Sequence, residues 1–275
     1  MINMLNRLEN ILKCPKTGQN LSYNQIDNCF HVKSEKIHYP VTNNIVDLLA
    51  RDNDQSNSPE IIRAYDKISI KYDSLITSSN LFSKFIINLT WGGLHEEYID
   101  QVVNYIPNDF EGTILDVPVG TGIYTVEKYS KFKKATILAV DISLEMLKQA
   151  QKRYKDKNID NVIYILADVN SLPFITNSID FVISMNGFHS FPDKNKSITE
   201  INRVLRDNAN FAGCFYVSGR RKISDFMVNA SLKNTHLFTE PFYSSKEYLE
   251  MFGKYFNFME HKYCRSFFLF NARKY

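Results

Sequence analysis

From residue 113 onward, short continuous apolar runs alternate with segments whose apolar residues recur at helical spacing. TILDV (113–117), ATILAV (135–140), VIYILA (162–167) and IDFVISM (179–185) have strand length and are rich in Ile and Val. Between the second and third lies SLEMLKQAQKRYK (143–155), where Ser143 is a natural N-cap and Leu144 and Leu147 mark a helical face. NKSITEINRVLR (195–206) reads as a further helix and NFAGCFYVS (210–218) as a fifth strand. A helix at about 244–254 precedes two adjacent strand-like runs, 256–264 and 266–274. Runs joined that tightly must pair antiparallel, because a parallel crossover needs about a dozen residues. The pattern predicts an α/β fold: a seven-stranded, mostly parallel sheet covered by helices and finished by a C-terminal antiparallel hairpin.

Upstream the pattern differs. Residues 60–110 show helical spacing, through Ile61, Ile62, Tyr65 and Ile68, then Leu81, Phe82, Phe85, Ile86 and Leu89, then Tyr98, Val102 and Tyr105. Residues 51–59 are polar and read as a linker. Residues 1–50 carry strand-like pieces broken by Gly18, Asp27–Asn28 and Asn43–Asn44, which predicts a small, separate β-rich domain.

Composition narrows the picture. The 275 residues carry 33 Lys and Arg against 30 Asp and Glu, too even a balance for a general nucleic-acid footprint. The four cysteines are widely spaced, which favours a reducing cytoplasm over a disulfide scaffold. No run approaches the ~18 apolar residues of a membrane span. The opening residues carry Arg7, Glu9 and Lys13 without a continuous apolar stretch, so no secretory leader is expected.

ILDVPVGTGIYT (114–125) holds the most chemistry. A buried strand ends at Asp116, and a turn with Gly120 and Gly122 then opens toward a helix. Glycine permits positive φ and close ligand approach, and a helix N-terminus offers free N–H groups to an anion. Asp141 closes the second strand about 19 residues beyond Gly122, where an acid can accept both ribose hydroxyls of an adenosine. Asp168 closes the third strand, where a carboxylate can accept from an adenine amino group. Open α/β sheets bind ligands at such strand ends. The dinucleotide pattern G-x-G-x-x-G is not met, because Thr125 stands at the third glycine, so NAD is the second choice of ligand.

With these motifs, residues 60–275 resemble a class I S-adenosylmethionine (SAM)-dependent methyltransferase, and within that class the ubiquinone/menaquinone-biosynthesis-like (type 11) subgroup. LDVPVGTG keeps the aspartate and last two glycines of hhDxGxGxG, with Pro118 replacing the first. AVDIS, LADVNSLPF, ISMNGFHSFPD (183–193) and EINRVLRDNANFAGCFYV (200–217) are similar to the family's later segments, and AYDKISIKYD (64–73) to the start of its N-terminal lid. The resemblance implies a Rossmann-like fold with a helical lid at 60–110, SAM as cofactor, and a small-molecule acceptor whose reacting O, N or C atom stays open. The implied SAM-binding residues are Tyr65, Tyr72, Asp116, Pro118, Gly120, Thr121, Gly122, Asp141, Ile142, Met146, Asp168, Val169 and Met185. His189, just past the fourth strand, is the candidate general base.

Residues 1–50 resemble a small zinc-ribbon domain found before some of these enzymes, including certain rRNA guanine methyltransferases. Of its two C-x-x-C knuckles only Cys14 remains, with Thr17, Val32 and Glu35 at the other three positions, so no metal is expected. Two further readings remain at this stage: an rRNA or tRNA base methyltransferase, which the N-terminal domain favours, and a SAM-binding protein without catalysis, which Pro118 and the lack of an obvious base favour.

Overall fold

A computed structural model describes residues 2–50, 59–77 and 96–275. Residues 51–58 of the expected linker at 51–59, and the helical spacing through Leu81, Phe82, Phe85, Ile86 and Leu89, lie outside the described residues, whereas Pro59 already belongs to a helix. Among the described residues one sheet of eleven strands runs through the molecule. Its order is β1 (Ser22–Asn24), β2 (Cys29–His31), β3 (His38–Thr42), β4 (Ile45–Asp47), β7 (Val162–Leu166), β6 (Ala135–Asp141), β5 (Gly112–Asp116), β8 (Ile179–Met185), β9 (Leu205–Tyr216), β11 (Phe267–Lys274) and β10 (Phe256–Cys264).

The centre from β4 through β9 is parallel, and both ends are antiparallel. β5 is central: the chain moves outward through β6 and β7, then returns to pair β8 on the other side of β5. That reversal leaves a crevice at the carboxyl ends of the strands.

The separate N-terminal domain expected from sequence is corrected here. β4 pairs parallel with β7, through Ile45↔Tyr164, Val46↔Ile165 and Asp47↔Leu166. Its alternating side chains enter opposite layers, Ile45 packing with one apolar cluster and Val46 with the other. Leu5, Leu8, Leu12 and Phe30 share a core with Phe174 and Phe188 of the larger unit, so residues 2–50 extend the main sheet. Two apolar residues, Ile45 and Val46, between Asn43–Asn44 and Asp47 gave no sign of a parallel strand in the main sheet.

No metal site is gathered there either: among the described residues no three His, Cys, Asp or Glu side chains converge as a metal requires. The Cys14 thiol instead meets the Tyr39 hydroxyl at 3.1 Å.

Helices cover both faces: α1 (Ile2–Leu8), α2 (Pro59–Thr77), α3 (Glu96–Val103), α4 (Val126–Tyr129), α5 (Leu144–Asp156), α6 (Lys194–Val204), α7 (Lys222–Met227) and α8 (Ser245–Phe252). Ser143 caps α5, its hydroxyl accepting from the Met146 N–H, as expected. One boundary moves. The expected helix through 206 stops at Val204, and β9 begins at Leu205 because its first residues already pair with β8, with Asn208 at φ 62 beside the register shift.

Candidate functional site

At the end of β5 the chain turns through Val117–Gly122, with the Val119 N–H donating to the Val140 carbonyl at 2.9 Å. Gly120 stands at φ 57, and a Cβ there would meet nothing within 4 Å. The backbone is thus bare toward a cleft lined by Pro118, Gly120, Thr121, Asp141, Ile142, Met146, Asp168, Val169, Met185 and Tyr65. These ten are sequence-predicted residues. The empty space of the cleft is about 810 Å³ with the solvent at its open mouth included.

Asp141 organises the floor. One carboxylate oxygen accepts from the Gly120 N–H at 2.8 Å and the other from the Ser143 N–H at 2.9 Å. The side chain thereby joins the end of β6 to the glycine turn, and each oxygen keeps acceptor capacity for a hydroxyl in the cleft. Burial pushes its carboxyl up to about 6, against the backbone donors that hold it down. Asp168 caps the short helical turn Val169–Ser171 through the Asn170 N–H at 2.8 Å. Ile142, Met146, Ala167 and Val169 supply apolar walls between the two aspartates.

Helix α2 closes over this floor through two aspartates. Asp66 accepts from the Ser143 hydroxyl at 2.6 Å, and Asp73 accepts from the Thr121 hydroxyl at 2.6 Å. Arg153 of α5 pairs with Asp73 and also donates to the Thr121 carbonyl. From the same helix the Tyr65 hydroxyl donates to the Leu237 carbonyl at 3.3 Å, and burial pushes its phenol up to about 12. The side chain of Tyr72 lies outside the described residues.

Three predicted residues do not line the cleft. Gly122 instead packs against Tyr154. Asp116 is buried beneath the turn, accepting from the Thr125 hydroxyl at 3.0 Å and the Tyr129 hydroxyl at 2.9 Å.

His189 is the third. Its Nδ1 accepts from the Tyr216 N–H at 3.4 Å, and its ring stacks on Phe238 with centroids 4.2 Å apart. Burial, reinforced by the Lys194 charge, pulls its pKa down to about 3. A neutral imidazole whose Nδ1 is engaged with backbone does not titrate near neutrality, so the structure does not support the base expected from sequence.

The sequence reading missed the opposite wall, which is made by Asn186, Ser190, Phe191 and Pro192 after β8, with Ile61, Ile123 and Tyr124. The Asn186–Gly187 dipeptide was the available signal, since Asn186 adopts φ 57 as turn asparagines do. Lys194 anchors this wall from behind, its ammonium donating to the carbonyls of Phe191 at 3.1 Å and Thr239 at 2.9 Å.

Asp116 gives a pH prediction. Burial pushes its carboxyl up to about 7, with the Tyr129 and Thr125 bonds opposing and Asp141 adding. The native state therefore keeps a proton that the unfolded chain releases near pH 4. Its contribution to stability falls as pH rises through that window toward 7. Asp116→Asn keeps an acceptor for both hydroxyls and cannot ionise. The ligand-free variant should gain on the order of 1–3 kcal/mol over the native protein at pH 8 relative to pH 4. Denaturant melts at the two pH values check this, and a difference independent of pH contradicts it.

Residues 114–208 match the family described as Methyltransferase domain. The ubiquinone/menaquinone biosynthesis C-methyltransferase UbiE of Rickettsia prowazekii (strain Madrid E) is 35% identical over 124 residues, covering 43% of this chain and 50% of the relative. The UbiE of Rickettsia bellii (strain OSU 85-389) is 33% identical over 147 residues, covering 50% and 59%. Residues 114–208 of this chain thus carry the pattern of a methyltransferase domain.

The chain spans about half the length of the curated relatives it matches. The fold of the methyltransferase domain is shared with a SAM-dependent methyltransferase from Aquifex aeolicus (TM-score 0.55, 19% identity, 75% of this chain and 98% of that one). It is also shared with a possible histamine N-methyltransferase from Thermotoga maritima (TM-score 0.56, 16% identity, 78% and 100%). The glycine turn, both lining aspartates and the cleft apart from Ile61 and Tyr65 sit on the matched residues, whereas α2 and the sheet extension from residues 2–50 lie outside them.

Proposed function

We propose that this protein transfers the methyl group of SAM to a small-molecule acceptor. The observation that carries the proposal is Asp141: an acid at the carboxyl end of β6, bonded to the bare Gly120 turn and lining the cleft beside it. That arrangement suits a ligand with vicinal hydroxyls at one end and a charged amino-acid end at the other. Gly120 and Thr121 would hold the methionyl end, Asp141 the ribose and Asp168 the adenine amino group. Ile142, Met146 and Val169 would enclose the adenine.

SAM supplies an activated methyl on a sulfonium, so the chain's own task is to orient the acceptor and keep water out. Met185, Asn186, Ser190, Phe191 and Tyr65 form the wall where an acceptor would lie. Their mixture of apolar side chains with an amide and hydroxyls fits a mostly apolar small molecule bearing one or two polar groups. The relatives' C-methyl transfer supports a carbon acceptor as the finer reading. With His189 bonded to backbone, the reaction would rely on an acceptor already activated.

Asp141→Ala should weaken binding of S-adenosylhomocysteine by about 1–3 kcal/mol, because a charged acceptor is removed from two hydroxyls. Calorimetry measures this directly. An unchanged affinity would mean that the ribose is held elsewhere.

A further inference from the structure

After β9 the chain forms α7 and continues as a helical run to Thr235. This run leaves β9 at the same edge of the sheet as the cleft, and its inner side is well anchored. Ser224 is fully buried against the Ser266 hydroxyl at 2.8 Å, Val228 is buried, and Asp225 accepts from the Tyr216 hydroxyl and from the Gly219 N–H at 3.1 Å. The outer side is different. Ile223 and Phe226, three positions apart on one helical face, are 36% and 68% exposed.

Cations surround that apolar pair. Arg220, Arg221 and Lys222 precede it in unbroken series, and Arg220 lies over the Tyr263 ring at 4.2 Å from its centroid. Exposed Arg265 follows in the turn between β10 and β11. The one acid of α7, Asp225, is engaged by the Tyr216 hydroxyl, and it lines the nearby surface depression together with Glu240. Outward aromatic and aliphatic side chains bordered by cations are the chemistry of a helix lying in a lipid interface.

We propose that this face docks on an anionic bilayer surface, with Ile223 and Phe226 entering the headgroup layer and Lys222 and Arg265 meeting lipid phosphates. A second copy is a poorer occupant, because two-fold pairing of the patch would set its cations against one another. Among the described residues no helix is long and apolar enough to cross a membrane.

Flotation of the full chain with phosphatidylcholine vesicles, with and without phosphatidylglycerol, tests the proposal without a methyl donor. The protein should float with the anionic vesicles, stay behind with the neutral ones, and be released by added salt. Phe226→Asp should lower the vesicle-bound fraction about tenfold, and the pair Lys222→Glu with Arg265→Glu should do the same. Thermal melts confirm that both variants fold, and if Phe226→Asp does not, the charge pair decides alone. Absence of binding, equal binding to both vesicle types, or folded variants that float like the native chain would overturn the proposal. So would a concentration-dependent dimer that Phe226→Asp dissociates.

Discussion

Gly122→Ala is expected to destabilise the fold by about 2–5 kcal/mol, far more than the same change at Gly120. Both glycines have positive φ, 57 at Gly120 and 71 at Gly122, so both substitutions carry left-handed strain of about 1–2 kcal/mol. Their surroundings differ. A Cβ at Gly120 meets open cleft, whereas one at Gly122 would fall 2.7 Å from the ring of Tyr154. That ring is fully buried and cannot swing aside without breaking its 2.8 Å contact with Thr125. Overpacking therefore adds about 1–3 kcal/mol at Gly122 alone. Denaturant melts of the two variants check this, and equal losses would show that Tyr154 yields. Ligand binding should reverse the order among folded variants, with Gly120→Ala filling space that the methionyl end would use.

Phe188→Ala should cost about 3–5 kcal/mol, the loss typical of a buried aromatic truncated to a methyl. Phe188 is wholly buried, and its ring lies 5.0 Å from Phe191, 5.2 Å from Phe215, 5.0 Å from Phe252, 6.0 Å from Phe211 and 6.5 Å from Tyr248. Those rings come from β9, α8 and the loop itself, so a void there has several walls that cannot collapse together. The consequence reaches the cleft, because Phe188 pins the loop carrying Asn186, Ser190, Phe191 and Pro192. A variant that still folds in the cold should bind an acceptor more weakly while holding S-adenosylhomocysteine almost normally. A loss in melting stability below about 1 kcal/mol would show that the aromatic cluster repacks.

The parallel core was legible because each strand is a dense apolar run and Ser143 announces its helix. The glycine turn and its aspartates were legible too, since strand ends in open α/β sheets place such residues by topology. What sequence could not show is direction. Asp116, Gly122 and His189 each sit where the motif puts them, yet their side chains or faces turn to Tyr129, Tyr154 and the Tyr216 backbone. The same holds for Asp66 and Asp73, whose partners lie 77 and 48 residues away in Ser143 and Thr121. The N-terminal segment misled for another reason. Its last strand is three residues long, and only the exposed edge of β7 makes it part of the main sheet.

The cleft floored by Gly120 and Asp141 is the expected site of SAM. Calorimetric titration of the purified chain with S-adenosylhomocysteine and, separately, with NAD tests it most directly. One molecule of S-adenosylhomocysteine should bind per chain, with affinity at least about a hundredfold above that for NAD, a gap of roughly 2.7 kcal/mol. Equal affinity for the two, or no heat with either, would contradict it.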